Sequence, residues 1–372
     1  MSKIVRSIVI TGNGTNCEVE MAHACRLAGA DVVDIVHISE LLAGEKRLDD
    51  YDFLNLPGGF LDGDDLGAAK AGANRIRHAA ISGTEEKLYD QMTRFIRDGK
   101  LILGVCNGFQ LLVKLGLLPG CDGDYQTQTA TLSYNDSGRF EDRWVHLAVN
   151  PASPCIFTRG LTHLYLPVRH GEGKFIPRDE TIRARLHRDG HVALQYCPPP
   201  GGQVFKISVF PPGDTHGQTK KGGATAPATA STSSAGIASP TGIDSRSGID
   251  SPSGSASTLG PAAILGTAAI HAPTCTGGAT ATTPAASGAP GASPVAYPVA
   301  SGPTMTYPDN PNGSVDAIAG ICNATGRIFG LMPHPEAFLH RTNHPRWTRE
   351  DLPEAGQGLA IFQNAVAFAR NK

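Results

Sequence analysis

The sequence predicts an α/β fold with a mostly parallel central sheet flanked by helices. Two observations lead to this prediction. Over the first 120 residues, short apolar runs alternate with amphipathic stretches, and strands that alternate with helices favour a parallel sheet covered on both faces. In addition, about 280 residues remain when one long low-complexity segment is set aside, and this length suits a single elaborated α/β domain.

The first part of the chain supplies the predicted parallel strands. Residues 18–27 are expected to form a helix because Met21, Ala24 and Cys25 would share one face. Gly29 would end that helix. The predicted elements of this part are, in order, strand 4–10, helix 18–27, strand 31–36, strand 53–56, helix 85–97, strand 100–105 and helix 109–118.

The later part of the chain has a different pattern, with short strands separated by turns from about residue 125 to residue 196. Order is expected to resume near the C-terminus with a hairpin and a closing helix whose apolar residues recur at core spacing. The predicted elements of this part are strands 144–149 and 164–168, hairpin strands 317–322 and 328–332, and helix 358–370.

A low-complexity segment separates these two groups of strands. Between Gly222 and Met305 only three residues carry a charge, and most of the others are Gly, Ala, Ser, Thr or Pro. Such a composition offers too little large apolar surface to offset the entropy of ordering the chain. We therefore predict a disordered insertion over 211–303, and one domain formed by 1–210 together with 304–372.

Charge and cysteine usage exclude several classes of protein. The net charge is −2, from 32 basic and 34 acidic residues, so no strong attraction to nucleic acid or an anionic membrane is expected. The 8 cysteines include no CxxC pair and no zinc-finger spacing. No long apolar span or secretory leader is evident. We expect a cytoplasmic protein with reduced thiols and no metal site.

The most informative segment is an apolar strand that runs directly into an amphipathic helix, with Cys106 at the junction. Gly104 and Gly108 lie two residues on either side, as in the sharp turn that exposes a nucleophile in α/β hydrolases. The start of the following helix favours a thiolate and leaves the Asn107 N–H free to bind an oxyanion. The alternative is an ordinary buried cysteine between two packing glycines.

A cysteine nucleophile needs a base and a group that orients it. His334 follows the predicted strand 328–332, so it also lies at a strand end. Pro335 favours an extended conformation for His334, and side chains two positions apart on an extended chain point the same way. His334 and Glu336 can therefore face one target. In isolation, this short motif is more typical of a surface turn.

Residues 104–110 (GVCNGFQ) and 333–336 (PHPE) together resemble a class I, triad-type glutamine amidotransferase, which has a flavodoxin-like fold. Further runs are similar to the glutaminase part of phosphoribosylformylglycinamidine synthase, an enzyme of purine biosynthesis. These runs are 12–18 (GNGTNCE), 56–67 (LPGGFLDGDDLG), 169–173 (RHGEG), 310–314 (NPNGS) and 318–323 (IAGICN). The resemblance covers roughly 1–200 and 305–370.

The resemblance implies that Cys106 attacks the carboxamide of L-glutamine, releases ammonia and forms a γ-glutamyl thioester. It implies that His334 shuttles the protons and that Glu336 orients His334. It also implies an oxyanion hole and a glutamine pocket formed by Gly58, Gly59, Phe60, Asn107, Gln110 and His170. The chain has Leu61 and Asp62 where the family usually has serine and tyrosine.

The resemblance also implies partners. A separate synthetase subunit would hold the ATP and magnesium, and a small accessory subunit is a further expected partner; no cofactor is expected in this chain. Two other functions remain open from the residues alone. One is a stand-alone cysteine amidase or hydrolase of the related α/β type, and the other is a catalytically silent scaffold.

Three other features could be mistaken for sites. Cys17 lies at a strand-to-helix junction but lacks flanking glycines. The Gly12–Asn13–Gly14 run lacks both the third glycine of a dinucleotide fingerprint and the lysine of a phosphate loop. The aspartates of residues 62–65 could suggest a metal site, but a solvated acidic loop is the interpretation that we adopt.

The composition of the insertion leads to a first prediction. Replacing 222–302 by a short Gly/Ser linker should leave thermal stability nearly unchanged, because the entropy of closing a loop rises slowly with its length. Glutamine hydrolysis should also be preserved. Thermal unfolding and glutamate release measure the two outcomes. A shortened chain that folds but fails only in synthesis with its partner would indicate instead that the insertion is a docking surface.

Overall fold

The computed structural model describes residues 3–200 and 302–372. Its strands are β1 (Arg6–Thr11), β2 (Val32–His37), β3 (Phe53–Leu56), β4 (Leu101–Val105), β5 (Ala130–Ser133), β6 (Glu141–Val149), β7 (His163–His170), β8 (Lys174–Pro177), β9 (Val192–Cys197), β10 (Ile318–Cys322) and β11 (Ile328–Leu331). Its α-helices are α1 (Glu18–Leu27), α2 (Ile38–Ala43), α3 (Lys70–His78), α4 (Leu88–Arg97), α5 (Asn107–Lys114), α6 (Glu180–Arg188) and α7 (Leu359–Asn371).

Nine strands form one sheet in the order β2-β1-β3-β4-β11-β10-β9-β6-β7. The first five strands of this order are parallel to their neighbours among these five. The remaining pairs are antiparallel, including the predicted hairpin of β10 and β11. Strands β5 and β8 form a separate two-stranded sheet. The predicted α/β class is confirmed, with the parallel strands grouped at one side of the sheet.

The central parallel strands are buried on both faces. All residues of β3, β4 and β11 are buried, which explains why these segments are almost entirely apolar rather than alternating, with Asn55 as the one polar residue in them. Helix α5 is buried along nearly its whole length, from Asn107 to Val113. This packing fixes the carboxyl ends of the parallel strands, where the functional loops begin.

Two predicted helices differ in their bounds. The helix predicted over 85–97 begins at Leu88, because the Asp90 side chain accepts the Lys87 N–H at 2.9 Å and so caps the first turn. The helix predicted over 109–118 spans Asn107–Lys114 instead. It ends early because Gly116 has a φ of +78°, a conformation that glycine adopts readily and that terminates helices.

The helices α2, α3 and α6 were not predicted. The strands β5, β8 and β9 were covered only by the general expectation of short strands from about residue 125 to residue 196. The insertion predicted over 211–303 lies outside the described residues, except for 302–303. In the described part of the chain, no helix is both long and apolar enough to cross a bilayer.

The packing of α5 on β3 generates a second prediction. A Cβ atom at Gly108 would lie 1.9 Å from the Leu56 carbonyl oxygen, so Gly108→Ala should force the helix away from the strand. We expect a loss of stability of about 1–3 kcal/mol, the range for overpacked cores. Urea unfolding measures this loss. Gly302→Ala is the matched control, since a Cβ there meets nothing within 4 Å, and equal stability losses in the two variants would contradict the explanation.

Candidate active site

The site lies where three neighbouring strands end at one edge of the sheet. Strands β3, β4 and β11 are adjacent and parallel, so the loops that follow them emerge side by side. Gly58 follows β3, Cys106 follows β4 and His334 follows β11. The Cys106 N–H donates to the Leu331 carbonyl at 2.8 Å. This bond ties the cysteine turn to the strand that carries the histidine.

Cys106 occupies a strained turn, with φ 51° and ψ −105°. Such a conformation persists in a residue with a side chain only where the surrounding structure enforces it. Space around the turn is minimal: a Cβ at Gly104 would lie 2.6 Å from the Gly108 carbonyl oxygen. The two glycines of the motif therefore permit a close approach of strand and helix that holds the thiol in this position. The geometry is that of a nucleophile at a strand-to-helix elbow.

His334 and Glu336 form a buried pair. The His334 Nδ1 and Glu336 Oε1 atoms are 2.6 Å apart, and both side chains are nearly inaccessible to solvent. Burial alone lowers the pKa of His334, but the Glu336 carboxylate and the Cys106 thiol together raise this pKa well above its usual value. No described residue bonds to the His334 Nε2 atom. The ring is thus oriented through Nδ1, and Nε2 is left for proton transfer.

The cysteine and the histidine share one cavity of about 380 Å³. Gly58 leaves room for both: a Cβ at that position would lie 2.7 Å from His334 Cε1 and 3.5 Å from Cys106 Cβ. The Cys106 thiol also lies 3.6 Å from the Arg169 carbonyl oxygen. The cavity is lined by Asn16, Cys17, Glu20, Gly59, Phe60, Asp64, Cys106, Gln110, Tyr134, Phe140, Arg169, His170, Gly171, Glu172 and His334.

Phe60, in the loop after β3, lines the cavity. Its N–H donates to the Gly14 carbonyl at 2.6 Å, so this backbone group is not available to an oxyanion. The N–H groups of Gly58 and Gly59 bond to no described residue. Asn107 begins α5, so its N–H has no acceptor within the helix. Of the predicted backbone donors, the N–H groups of Gly58, Gly59 and Asn107 are therefore available to an oxyanion.

Gln110 lines the cavity but its amide is already engaged. Its Oε1 accepts from the Asn107 side chain at 3.0 Å, and its Nε2 donates to the Glu172 carbonyl at 2.6 Å. The Glu172 carboxylate in turn accepts the Ala68 N–H at 3.1 Å. These bonds link α5 to the loops after β7 and β3, so Gln110 shapes the cavity wall from a fixed position.

His170 is fully buried and held by a network that the sequence did not reveal. The Asn312 Nδ2 atom lies 3.2 Å from His170 Nε2 and 3.0 Å from the Tyr196 hydroxyl. An amide nitrogen donates, so Nε2 is the acceptor and Nδ1 carries the proton. Nδ1 bonds to no described residue. Asn312 belongs to the 310–314 run, which carried the resemblance but had no role assigned to it.

Cys17, which we set aside from the sequence, lies in the cavity. Its Sγ atom is 4.0 Å from His334 Nδ1, and burial raises the pKa of its thiol. The signal in the sequence that could have placed Cys17 here is the 12–18 run, which directly follows β1 and therefore lies at the same edge of the sheet. In that run, Gly14 serves packing, since a Cβ there would lie 2.2 Å from the Phe60 carbonyl oxygen.

The acidic loop is only in part the solvated loop that we expected, because Asp65 is exposed but Asp62 and Asp64 are partly buried. The Asp62 carboxylate pairs with Arg75 at 2.7 Å and is only 9% exposed. Burial and the neighbouring Glu172 carboxylate raise the pKa of Asp64, which lines the cavity. Asp62 anchors the loop to α3, and Asp64 adds a carboxyl group to the wall.

The chain is similar in sequence to a family of known proteins. A family model described as a CobB/CobQ-like glutamine amidotransferase domain matches residues 4–220 and 281–369. The chain is 36% identical over 370 residues to phosphoribosylformylglycinamidine synthase subunit PurQ of Dehalococcoides mccartyi, with 100% of this chain and 99% of that protein covered. It is 32% identical over 379 residues to the protein of the same name from Methanococcus maripaludis, with 99% of each chain covered.

Among solved structures, the fold is similar to a chain of PurLQS from Thermotoga maritima. The sequence identity is 22%, the TM-score is 0.51, and 99% of each chain is covered. This likeness supports the same fold.

The burial of His170 generates a third prediction, on stability against pH. Burial and the nearby His334 lower the pKa of His170 to about 3, whereas an unfolded histidine titrates near about 6.5. Below about pH 6.5 this histidine is protonated in the unfolded chain but stays neutral in the folded chain, so the free energy of unfolding falls as the pH falls. Between about pH 7 and pH 5 the loss should be about 2 kcal/mol. Urea unfolding of His170→Gln should show a smaller loss over this window, and identical pH profiles for both proteins would contradict the assignment.

Proposed function

The chain belongs to the CobB/CobQ-like glutamine amidotransferase family, and we propose that it is the glutaminase subunit of a phosphoribosylformylglycinamidine synthase. In this role it hydrolyses glutamine and supplies ammonia to an ATP-dependent synthetase in purine biosynthesis. The names of the full-length relatives support the proposal. The observation that carries it is a strained Cys106 facing a buried His334–Glu336 pair across one cavity.

The proposed reaction begins with attack of the Cys106 sulfur on the side-chain carboxamide of glutamine. The thiol proton passes to His334 Nε2, the ring nitrogen that no described residue engages. The negative charge that develops on the carboxamide oxygen is stabilised by backbone N–H groups at the start of α5 and in the loop after β3. His334 then donates a proton to the leaving nitrogen, and ammonia departs from a γ-glutamyl thioester.

Water completes the cycle. His334 Nε2 accepts a proton from a water molecule as that water attacks the thioester carbon, and the proton then returns to the Cys106 sulfur as glutamate leaves. Glu336 stays bonded to Nδ1 throughout and favours the protonated ring. Glu336 is therefore a positioning residue, because it acts through His334 and not on the substrate.

The pocket residues are proposed to bind the substrate. The Nδ1–H group of His170 would donate to an oxygen of glutamine. The ring is neutral because burial lowers its pKa, and its proton lies on Nδ1 because Nε2 accepts from Asn312. The carboxyl groups of Glu20, Asp64 and Glu172 line the same cavity and would attract the α-ammonium group of an amino acid. These residues give the cavity the polarity expected of an amino-acid site.

The synthetase partner and the remaining expectations belong to the same proposal. The chain would act with a separate synthetase subunit and with a small accessory subunit, in the cytoplasm. ATP and magnesium would bind to the synthetase, and glutamine hydrolysis itself would use only the side chains and backbone groups described above.

A fourth prediction tests the nucleophile. Cys106→Ala should abolish glutamine-dependent ammonia release, whereas synthesis by the assembled complex with added ammonium salt should survive, because the synthetase chemistry lies in another subunit. Glutamate release and product formation measure the two activities. Retained glutamine-dependent activity in the variant would rule out the assignment. Hydrolysis of other amides by the intact chain, with no effect on synthesis, would favour a stand-alone amidase.

A fifth prediction separates the base from its positioning residue. His334→Ala should reduce glutamine hydrolysis about as much as loss of the nucleophile. Glu336→Gln should reduce the rate by less, on the order of 10⁴-fold or below. The histidine remains in this variant, but no carboxylate stabilises its protonated form. Steady-state rates at saturating glutamine provide the measurement. Rates for Glu336→Gln below those for His334→Ala would contradict the proposed order of roles.

A further inference from the structure

Three ligand types that bind zinc converge behind the catalytic histidine. The Cys17 sulfur, the His334 Nδ1 atom and a carboxylate oxygen of Glu336 all lie within 4.8 Å of one another. Cys17 has no part in the proposed reaction. Thiolate, imidazole and carboxylate are the donors that zinc prefers, and three protein ligands with an open fourth position form a common zinc site.

The spacing of these atoms suits a tetrahedral ion. With zinc bond lengths of about 2.0–2.3 Å, neighbouring ligand atoms lie roughly 3.5 Å apart. The Sγ atom of Cys17 is 4.0 Å from Nδ1 of His334, and Nδ1 is 2.6 Å from Oε1 of Glu336. Binding therefore requires the His334–Glu336 bond to open by about 1 Å and Cys17 to move slightly inward.

A second, independent observation points to a ligand at this place. The other carboxylate oxygen of Glu336, Oε2, is buried and bonds to no described residue, and the Glu336 side chain is only 1% exposed. A buried carboxylate oxygen without a hydrogen-bond donor is costly to the folded chain. A divalent cation would satisfy it.

We propose that Cys17, His334 and Glu336 form an inhibitory zinc site. Zinc would bind to the lone pair of Nδ1, so the proton of the ring would lie on Nε2, and the thiol proton of Cys17 would leave to solvent. A ring that carries its proton on Nε2 cannot accept the proton of Cys106. Zinc would thus stop glutamine hydrolysis without binding to the nucleophile. Removal of the zinc would restore hydrolysis.

The binding test uses the full chain with Cys106→Ala, so that neither the nucleophile nor glutaminase activity contributes. Competition with a chromophoric chelator should give one zinc per chain. Even indirect partners of a metal contribute 10- to 100-fold to affinity, so adding Cys17→Ser should weaken binding by at least about 100-fold. Cys121→Ser is the matched control, because Cys121 is a nearly buried thiol beyond the opposite end of α5. It should leave the affinity unchanged.

Cobalt(II) gives a readout that is independent of affinity. The Cys106→Ala chain should show a thiolate-to-cobalt charge-transfer band that Cys17→Ser removes and Cys121→Ser preserves, with circular dichroism checking that each variant is folded. Unchanged zinc affinity after Cys17→Ser, or a persistent band, would overturn the proposal. Because binding is measured without turnover, this result does not depend on whether the chain hydrolyses glutamine.

The inhibition test uses the chain with Cys106 intact. Zinc should inhibit glutamine hydrolysis and a chelator should restore it. Cys17→Ser should raise the half-inhibitory zinc concentration by at least about tenfold, with each variant compared with its own metal-free rate. The same half-inhibitory concentration in both proteins would show that zinc inhibits without Cys17, which contradicts the proposed site.

Discussion

The site depends on one constraint, the close approach of β3, β4 and α5 around Cys106. Neither Gly104 nor Gly108 can carry a side chain without striking backbone, so the chain turns sharply enough to hold Cys106 at a φ of 51°. The Cys106 N–H bond to Leu331 then sets the distance to β11. The thiol, the oxyanion donors and the histidine are positioned by the same packed strand ends.

The histidine side of the site is organised by burial. The pair of His334 and Glu336 is removed from solvent, which strengthens the interaction between them. The 310–314 run fixes His170 through Asn312, far away in the sequence. The pocket is therefore assembled from the two parts of the chain that flank residues 201–301, and its catalytic pieces lie on the described strands and on the loops that follow them.

Much of this arrangement could be predicted from the sequence, because the signals were local. The turn at Cys106 and the extended segment at His334 follow from neighbouring Gly and Pro residues, and α1 and β3 have the predicted bounds. The network of Asn312 and Tyr196, the engaged Phe60 N–H and the place of Cys17 depend on contacts between distant segments. Periodicity carries no information on such contacts. The helix α2 was missed because its 6 residues are too few to show a helical period, and the polar helix α6 was missed because few apolar residues mark it.

The central claim is that Cys106, and not the neighbouring Cys17, carries the acyl group of glutamine. The most direct measurement is mass spectrometry of the chain after acid quenching during turnover, in complex with its synthetase partner. We expect a γ-glutamyl adduct on the peptide that contains Cys106, sensitive to hydroxylamine as a thioester should be. An adduct on the peptide that contains Cys17, or turnover with no adduct on Cys106 under conditions where glutamate is released, would contradict the account.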